Sequence, residues 1–159
     1  MVDSSRSIRK AKALLVAGVV LSASMSTRDA RATLGENVGS ISANEQHLGA
    51  VHRVVKLAKG ERHELELLSG FVVHEYVSPE GRVYAVTWHG HQPPNLQELL
   101  GSYFGQLSTG HKTAGGHNRM NLVGSDFLVQ TWGHRRTFSG RAWVPSLVPD
   151  GVKVDSSLE

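Results

Sequence analysis

The stretch VHEYVSPEGRVYAVTWHG, residues 73–90, predicts a β-hairpin and with it the class of fold. Valine, tyrosine, threonine and tryptophan, which favour strands, alternate with polar or small residues on both sides of SPEG, residues 78–81. Proline presets φ for the second position of a β-turn, and glycine suits the fourth. With the two central turn residues at the tip, position i pairs with position 159 − i, so Val73 faces Val86.

This register divides the hairpin into two faces, because successive side chains of a strand point to opposite sides. Large apolar residues share one face, which we interpret as core: Phe71, Val73, Val77, Tyr84, Val86 and Trp88. The other face is mixed and predicts a partly covered surface. Its candidates for contact with a partner are His74, Tyr76, Thr87 and His89.

The flanking sequence predicts further strands and one helix. RHELEL (62–67) alternates like a strand, and two or three more strands follow in residues 121–145, with a turn at Gly133-His134. Leucines and aromatics at helical spacing over residues 95–107 predict an amphipathic helix with Asn95 as its N-cap. Residues 108–120 read as a polar, glycine-rich loop. The predicted fold is therefore α+β: a single small domain with an antiparallel β-meander and hairpins and one amphipathic helix packed on the sheet.

The N-terminus has the pattern of an export signal. A basic segment precedes an apolar run, ALLVAGVVLSASMS, and Ala30-Arg31-Ala32 has the small-x-small pattern of a signal peptidase site. Cleavage after Ala32 would remove 32 of 159 residues and leave 127. Retention of the segment as a membrane anchor is the alternative. We therefore expect a protein of the periplasm or the extracellular space.

The sequence predicts four segments. Residues 1–32 form the signal peptide, and residues 33–60 form a polar N-terminal segment with a possible short helix that a Ser42–Glu45 capping box would start. Residues 61–149 form the α+β domain, and residues 150–159 form a flexible tail.

Charge and cysteine content narrow the function. The first 32 residues hold six of the 17 basic and two of the 14 acidic residues, so the remainder has 11 basic and 12 acidic residues. The net charge of +3 belongs to the targeting segment, and the mature part lacks the basic footprint of a nucleic-acid binder. The chain has no cysteine, which excludes disulfides, thiol catalysis and cysteine-ligated zinc. No apolar run after residue 33 is long enough to span a membrane.

Four motifs in order resemble one bacterial family of short exported proteins, catalogued as domain of unknown function 2844. They are LGENVGS (34–40), the hairpin at 73–90, PNLQELLGSYF (94–104) and GHRRTFSGRAWVPSLVP (133–149). The resemblance covers nearly the whole mature chain. It implies export and supports these boundaries, but it supplies no activity, cofactor or catalytic residue.

The histidines raise the question of a metal site. His89 and His91 stand two apart at a strand end, and His74 lies on the same predicted face, whereas zinc takes three or four ligands. Surface histidines near a turn are the alternative interpretation. We therefore assign no metal ligand and expect no cofactor, and keep these three as the candidates.

The remaining candidates are cationic. Arg135 and Arg136 adjoin a turn and are candidates for contacts with phosphate or an anionic glycan, against the alternative of a solvated turn. No serine-hydrolase motif and no pair of suitably placed carboxylates indicates an enzyme. The sequence thus favours a non-enzymatic exported domain that binds an envelope protein or peptide through its sheet face or an edge strand. The alternative is a small-ligand or metal-binding protein that uses its surface histidines.

Overall fold

An eight-stranded antiparallel sheet organises the computed structural model, which describes residues 34–113, 119–154 and 158. The predicted signal peptide lies outside these residues. Across the sheet the strands run β1-β2-β3-β4-β8-β7-β6-β5, so two four-stranded meanders meet where β4 pairs with β8. The strands are β1 (Val51–Leu57), β2 (Gly60–Glu66), β3 (Val72–Val77), β4 (Val83–Gly90), β5 (His111–Thr113), β6 (Arg119–Val123), β7 (Leu128–His134) and β8 (Thr137–Trp143). The helices are α1 (Gly39–Leu48) and α2 (Leu96–Leu100), with 3₁₀ helices at Gly101–Ser108 and Pro145–Leu147.

The predicted hairpin forms, and its turn lies at residues 78–81 as expected, with the Gly81 amide 2.9 Å from the Ser78 carbonyl oxygen. Its predicted register is wrong by two residues, because Val73 pairs with Trp88 instead of Val86. A shift of two preserves the face of most side chains. A β-bulge next to Val77 adds one residue to β4, so Tyr84 leaves the predicted core face.

The chain enters the sheet earlier than predicted. Strand β1 lies within the predicted polar N-terminal segment, so the sheet begins ten residues before the predicted domain start at residue 61. Leu34 and Ile41 are fully buried, so the predicted polar N-terminal segment contributes to the core. Helix α1 begins three residues before Ser42, and no side chain of its N-cap residue bonds to it.

The predicted helix over residues 95–107 is interrupted. Helix α2 ends at Leu100, Gly101 takes a positive φ of 51°, and a 3₁₀ helix continues the chain. Asn95 occupies the N-cap position but makes no side-chain capping bond. The predicted loop at 108–120 contains β5 and the first residues of β6, and residues 114–118 lie outside the described part of the chain.

The main core lies between one face of the sheet and the helices, and we call this face the helix side. Strand residues such as Val73, Val86 and Trp88 meet Leu99 and Leu100 of α2 there. Because α1 also adds Ile41 to this cluster, both helices cover the same face. A sheet covered by helices on one face confirms the coarse α+β architecture. In the described part of the chain, no helix has the length and apolar character needed to cross a membrane.

The C-terminal segment covers part of the opposite face, which we call the tail side. Leu158 packs in a cluster with Tyr76, Tyr84 and Ala85, and Val152 contacts this cluster too. Val152 and Leu158 thus pack on the sheet within the segment that we predicted to be a flexible tail. An apolar contact of this kind holds a chain end in place.

Candidate functional site

Cross-strand pairing brings the predicted mixed face together into two rows on the tail side. One row runs His74, Thr87 and Arg141 across β3, β4 and β8, and the second runs His89 and Ser139 across β4 and β8. Between them lies a cavity of about 310 Å³, which we call the sheet-face cavity. The described residues that line it include no Asp or Glu, so its polar wall is cationic or neutral.

Hydrogen bonds fix the polar side chains of the sheet-face cavity. His89 Nδ1 lies 2.8 Å from Ser139 Oγ. Arg141 Nε donates to Gln130 Oε1 at 2.7 Å, and the guanidinium lies 5.5 Å from the centroid of the Trp143 ring, within the range of a cation–π contact. These contacts orient the planar guanidinium of Arg141 in the cavity wall.

Only some of the predicted contact residues lie at the sheet-face cavity. His74, Thr87 and His89 line the sheet-face cavity as a group. Tyr76, which we expected at the surface, is 1% exposed because the C-terminal segment covers it, so its assignment as a surface contact residue is wrong. His91 lies beyond the end of β4, and no group of three His, Asp or Glu in the described ranges is placed to hold a metal ion. The structure therefore does not assemble the predicted histidine ligands.

A larger cavity of about 640 Å³ lies beside the turn that joins β7 to β8. We call it the hairpin cavity, after the β7–β8 hairpin. Its apolar wall includes Trp88, Met120 and Phe138, and Leu96 at the start of α2 closes one side. The predicted cations Arg135 and Arg136 line the same cavity, together with His134 and Arg119. Its described lining residues, like those of the smaller cavity, include no Asp or Glu.

Arg135 and Arg136 form the turn between β7 and β8, two residues beyond the predicted Gly133-His134. His134 pairs with Thr137, so only these two arginines connect the strands. Both have positive φ, 45° and 71°, as a two-residue type I′ hairpin turn requires. Asn-Gly is the favoured pair for such a turn, because side chains beyond Cβ crowd the backbone there. Backbone strain of this kind concentrates at functional positions.

A histidine pair that the sequence analysis missed joins α1 to the first two strands. His52 Nδ1 lies 2.8 Å from a Glu45 carboxylate oxygen, and His52 Nε2 lies 2.9 Å from His63 Nδ1. The contact between the two rings needs one N–H and one lone pair, so it persists with at most one positive charge on the pair. Glu61 lies 3.5 Å from His63 Nε2, too far for a strong hydrogen bond.

Burial lowers the pKa of His63, and the neighbouring His52 lowers it further, while Glu61 opposes the shift. His63 is almost completely enclosed, and the fully buried Glu75 of β3 pairs with it in the register. On the outer side Lys56 forms an ion pair with Glu61 at 2.9 Å. The β-branched run in VHRVVKL (51–57) was the one available sequence signal for β1, and hence for this pair.

Comparison with known proteins identifies the family of the chain but assigns it no activity. The model of the family DUF2844, described as a protein of unknown function, matches residues 30–156. No curated protein and no solved structure matches the chain.

Proposed function

The chain belongs to the DUF2844 family, and we propose that it is an exported, non-enzymatic domain that binds a small hydroxylated anion in the sheet-face cavity. The observation that carries this proposal is the cavity lining, which places Arg141, two histidines and two hydroxyl groups on one sheet face without a carboxylate among the described residues. A guanidinium matches the two oxygens of a carboxylate, and hydroxyl and imidazole groups suit the hydroxyls of such a ligand.

The size of the cavity sets the size of the ligand. About 310 Å³ is at the lower end of the range for small-molecule sites, so the ligand is compact, of the size of a hydroxy acid. Since Gln130 and Trp143 already hold Arg141, little side-chain freedom is lost on binding.

Titration calorimetry with malate and with uncharged glycerol tests this proposal. We expect malate to bind and glycerol not to, and we expect Arg141→Gln to weaken malate binding by about tenfold or more, because a charge-assisted contact is lost. Arg141→Lys keeps the charge without the planar fork and should lie between the two. Arg53→Gln is the matched control, since Arg53 lies on the same face of edge strand β1 with a 76% exposed side chain.

Equal binding of malate and glycerol, or unchanged malate affinity in Arg141→Gln, would contradict the proposal. Circular dichroism of each variant separates a lost contact from a lost fold.

The export part of the proposal rests on the N-terminal sequence pattern and on the location that the family resemblance implies. Expression in a bacterium, followed by fractionation and N-terminal sequencing, should give a periplasmic or secreted protein that begins at Thr33. A full-length protein in the membrane fraction would instead support the anchor alternative.

A second candidate function is binding of an envelope protein or peptide along β1. This strand lies at the edge of the sheet, and Val51 and Val54 are 65% and 47% exposed. An exposed edge can accept an extended peptide as an additional strand. Cross-linking in the cell envelope should give a partner that is lost with Val51→Lys/Val54→Lys, and a partner retained by that variant would exclude this edge.

A further inference from the structure

We propose that the hairpin cavity is a second ligand site, for an amphipathic anion with an apolar body and one anionic head group. It shares Trp88, Trp132 and Ser139 with the sheet-face cavity, and its other lining residues differ. The proposal goes beyond hydroxy-acid binding and does not depend on it.

The sheet register places the apolar wall of this cavity on the helix side. Trp88, Gly140, Thr131 and Met120 pair in one continuous row across β4, β8, β7 and β6. Because the arginine, histidine and hydroxyl groups of the sheet-face cavity alternate with this row along the strands, their side chains project from the opposite face. The apolar wall of the hairpin cavity and the polar wall of the sheet-face cavity therefore lie on opposite faces of the sheet.

Glycine keeps the wall of the hairpin cavity open. Gly133 lines it, and Phe138, its partner across the ladder, adds an aromatic wall. About 640 Å³ is enough for a drug-sized molecule, and mostly apolar walls with a few placed polar groups are typical of ligand sites of this size. The apolar body of the ligand fits this wall.

Charge at the turn selects the head group. Arg135 and Arg136 line the cavity and are exposed, so a head group between them stays near solvent while the apolar body is buried. Positive φ at two arginines is unfavourable for the backbone, and these exposed side chains add no core contact. Such an unfavourable turn is expected where a binding site needs the charge of the arginines. The described lining contributes no negative charge to oppose an anion.

Laurate and lauryl alcohol, both below their aggregation concentrations, are the probes, since they differ only in the head group. Calorimetry should show that laurate binds at least about tenfold more tightly than the alcohol. Arg135→Gln/Arg136→Gln should remove this preference while alcohol binding stays the same, and Arg135→Lys/Arg136→Lys should retain most of it. A brominated laurate should quench tryptophan fluorescence, because Trp88 is part of the wall.

Two variants locate the site. Thr131→Phe fills the helix-side wall and should abolish binding of both probes, whereas Arg141→Gln on the other face should leave laurate binding unchanged. No binding of laurate, equal binding of laurate and the alcohol, or full affinity in Arg135→Gln/Arg136→Gln would overturn the inference. If the wild-type protein binds laurate but does not bind malate, only the proposed function is overturned.

Discussion

Replacing the turn Arg135-Arg136 with Asn-Gly should stabilise the fold while weakening binding of an amphipathic anion. Both residues have positive φ, 45° and 71°, which costs an ordinary side chain about 1–2 kcal/mol each. Arg135→Asn/Arg136→Gly relieves most of this strain, because asparagine tolerates the conformation and glycine adopts it freely.

The expected increase in the free energy of unfolding is smaller than the backbone strain that the substitution relieves. Glycine raises the conformational entropy of the unfolded chain, which offsets about 0.5–1 kcal/mol. The net increase in the free energy of unfolding is then about 1–2 kcal/mol. For a domain of this size it raises the melting temperature by roughly 3–10 °C.

Urea denaturation, followed by circular dichroism, measures this gain as a shift of the midpoint to higher urea at unchanged slope. Arg135→Gln/Arg136→Gln is the matched control, since it removes the charge but keeps a side chain at both strained positions, and it should not be stabilised. If the Asn-Gly variant is no more stable than the wild type or the glutamine control, the turn is not strained. If it binds laurate as tightly as the wild type does, the arginines do not serve the site.

Three further outcomes are expected. Gly140→Ala should destabilise the fold by about 1–3 kcal/mol in urea denaturation. The methyl group of alanine would overlap the Trp88 ring and lie 2.7 Å from the Gln130 carbonyl oxygen. An unchanged urea midpoint would show that the indole moves aside. Phe127→Ala should cost about 3–5 kcal/mol, since Phe127 is fully buried, whereas Phe104→Ala at a 38% exposed position should cost much less, and equal losses would contradict this core. Burial lowers the pKa of His63 in the folded state. As pH falls below about 6.5, the unfolded chain therefore takes up the proton first, and the free energy of unfolding declines until the pH reaches the lowered pKa of the folded state. The urea midpoint should fall less across this range in His63→Gln than in the wild type, and an equal fall would assign the pH dependence to other groups.

The local sequence pattern was sufficient to predict the structure where the residues that determine it lie within one strand or one turn. The hairpin at residues 73–90 could be predicted because alternation and the SPEG turn agree, and it forms with that turn. The mixed face was also predictable, because a register error of two residues leaves a side chain on the same face. Hence His74, Thr87 and His89 appear together in one cavity as grouped from the sequence.

Tertiary contacts decided what the local pattern could not. Tyr76 is buried because a segment some 80 positions later in the chain lies over it, and no local window contains that contact. Strand β1 has no buried residue and is held by pairing with β2, so the sequence analysis did not distinguish it from the rest of the polar N-terminal segment. The helix over residues 95–107 had the correct periodicity, yet Gly101 adopts a positive φ and ends α2.

The sequence by itself determined the antiparallel hairpin, the face of most of its side chains, the absence of disulfides and the family to which the chain belongs. Alternation, turn residues and composition are properties of neighbouring positions, so they can be read without a fold. Only the tertiary structure decided that Arg141 joins His74 and His89, and that the arginine turn adjoins an apolar cavity. Those groups come from strands more than 40 positions apart, and the pairing of β4 with β8 is what brings them together.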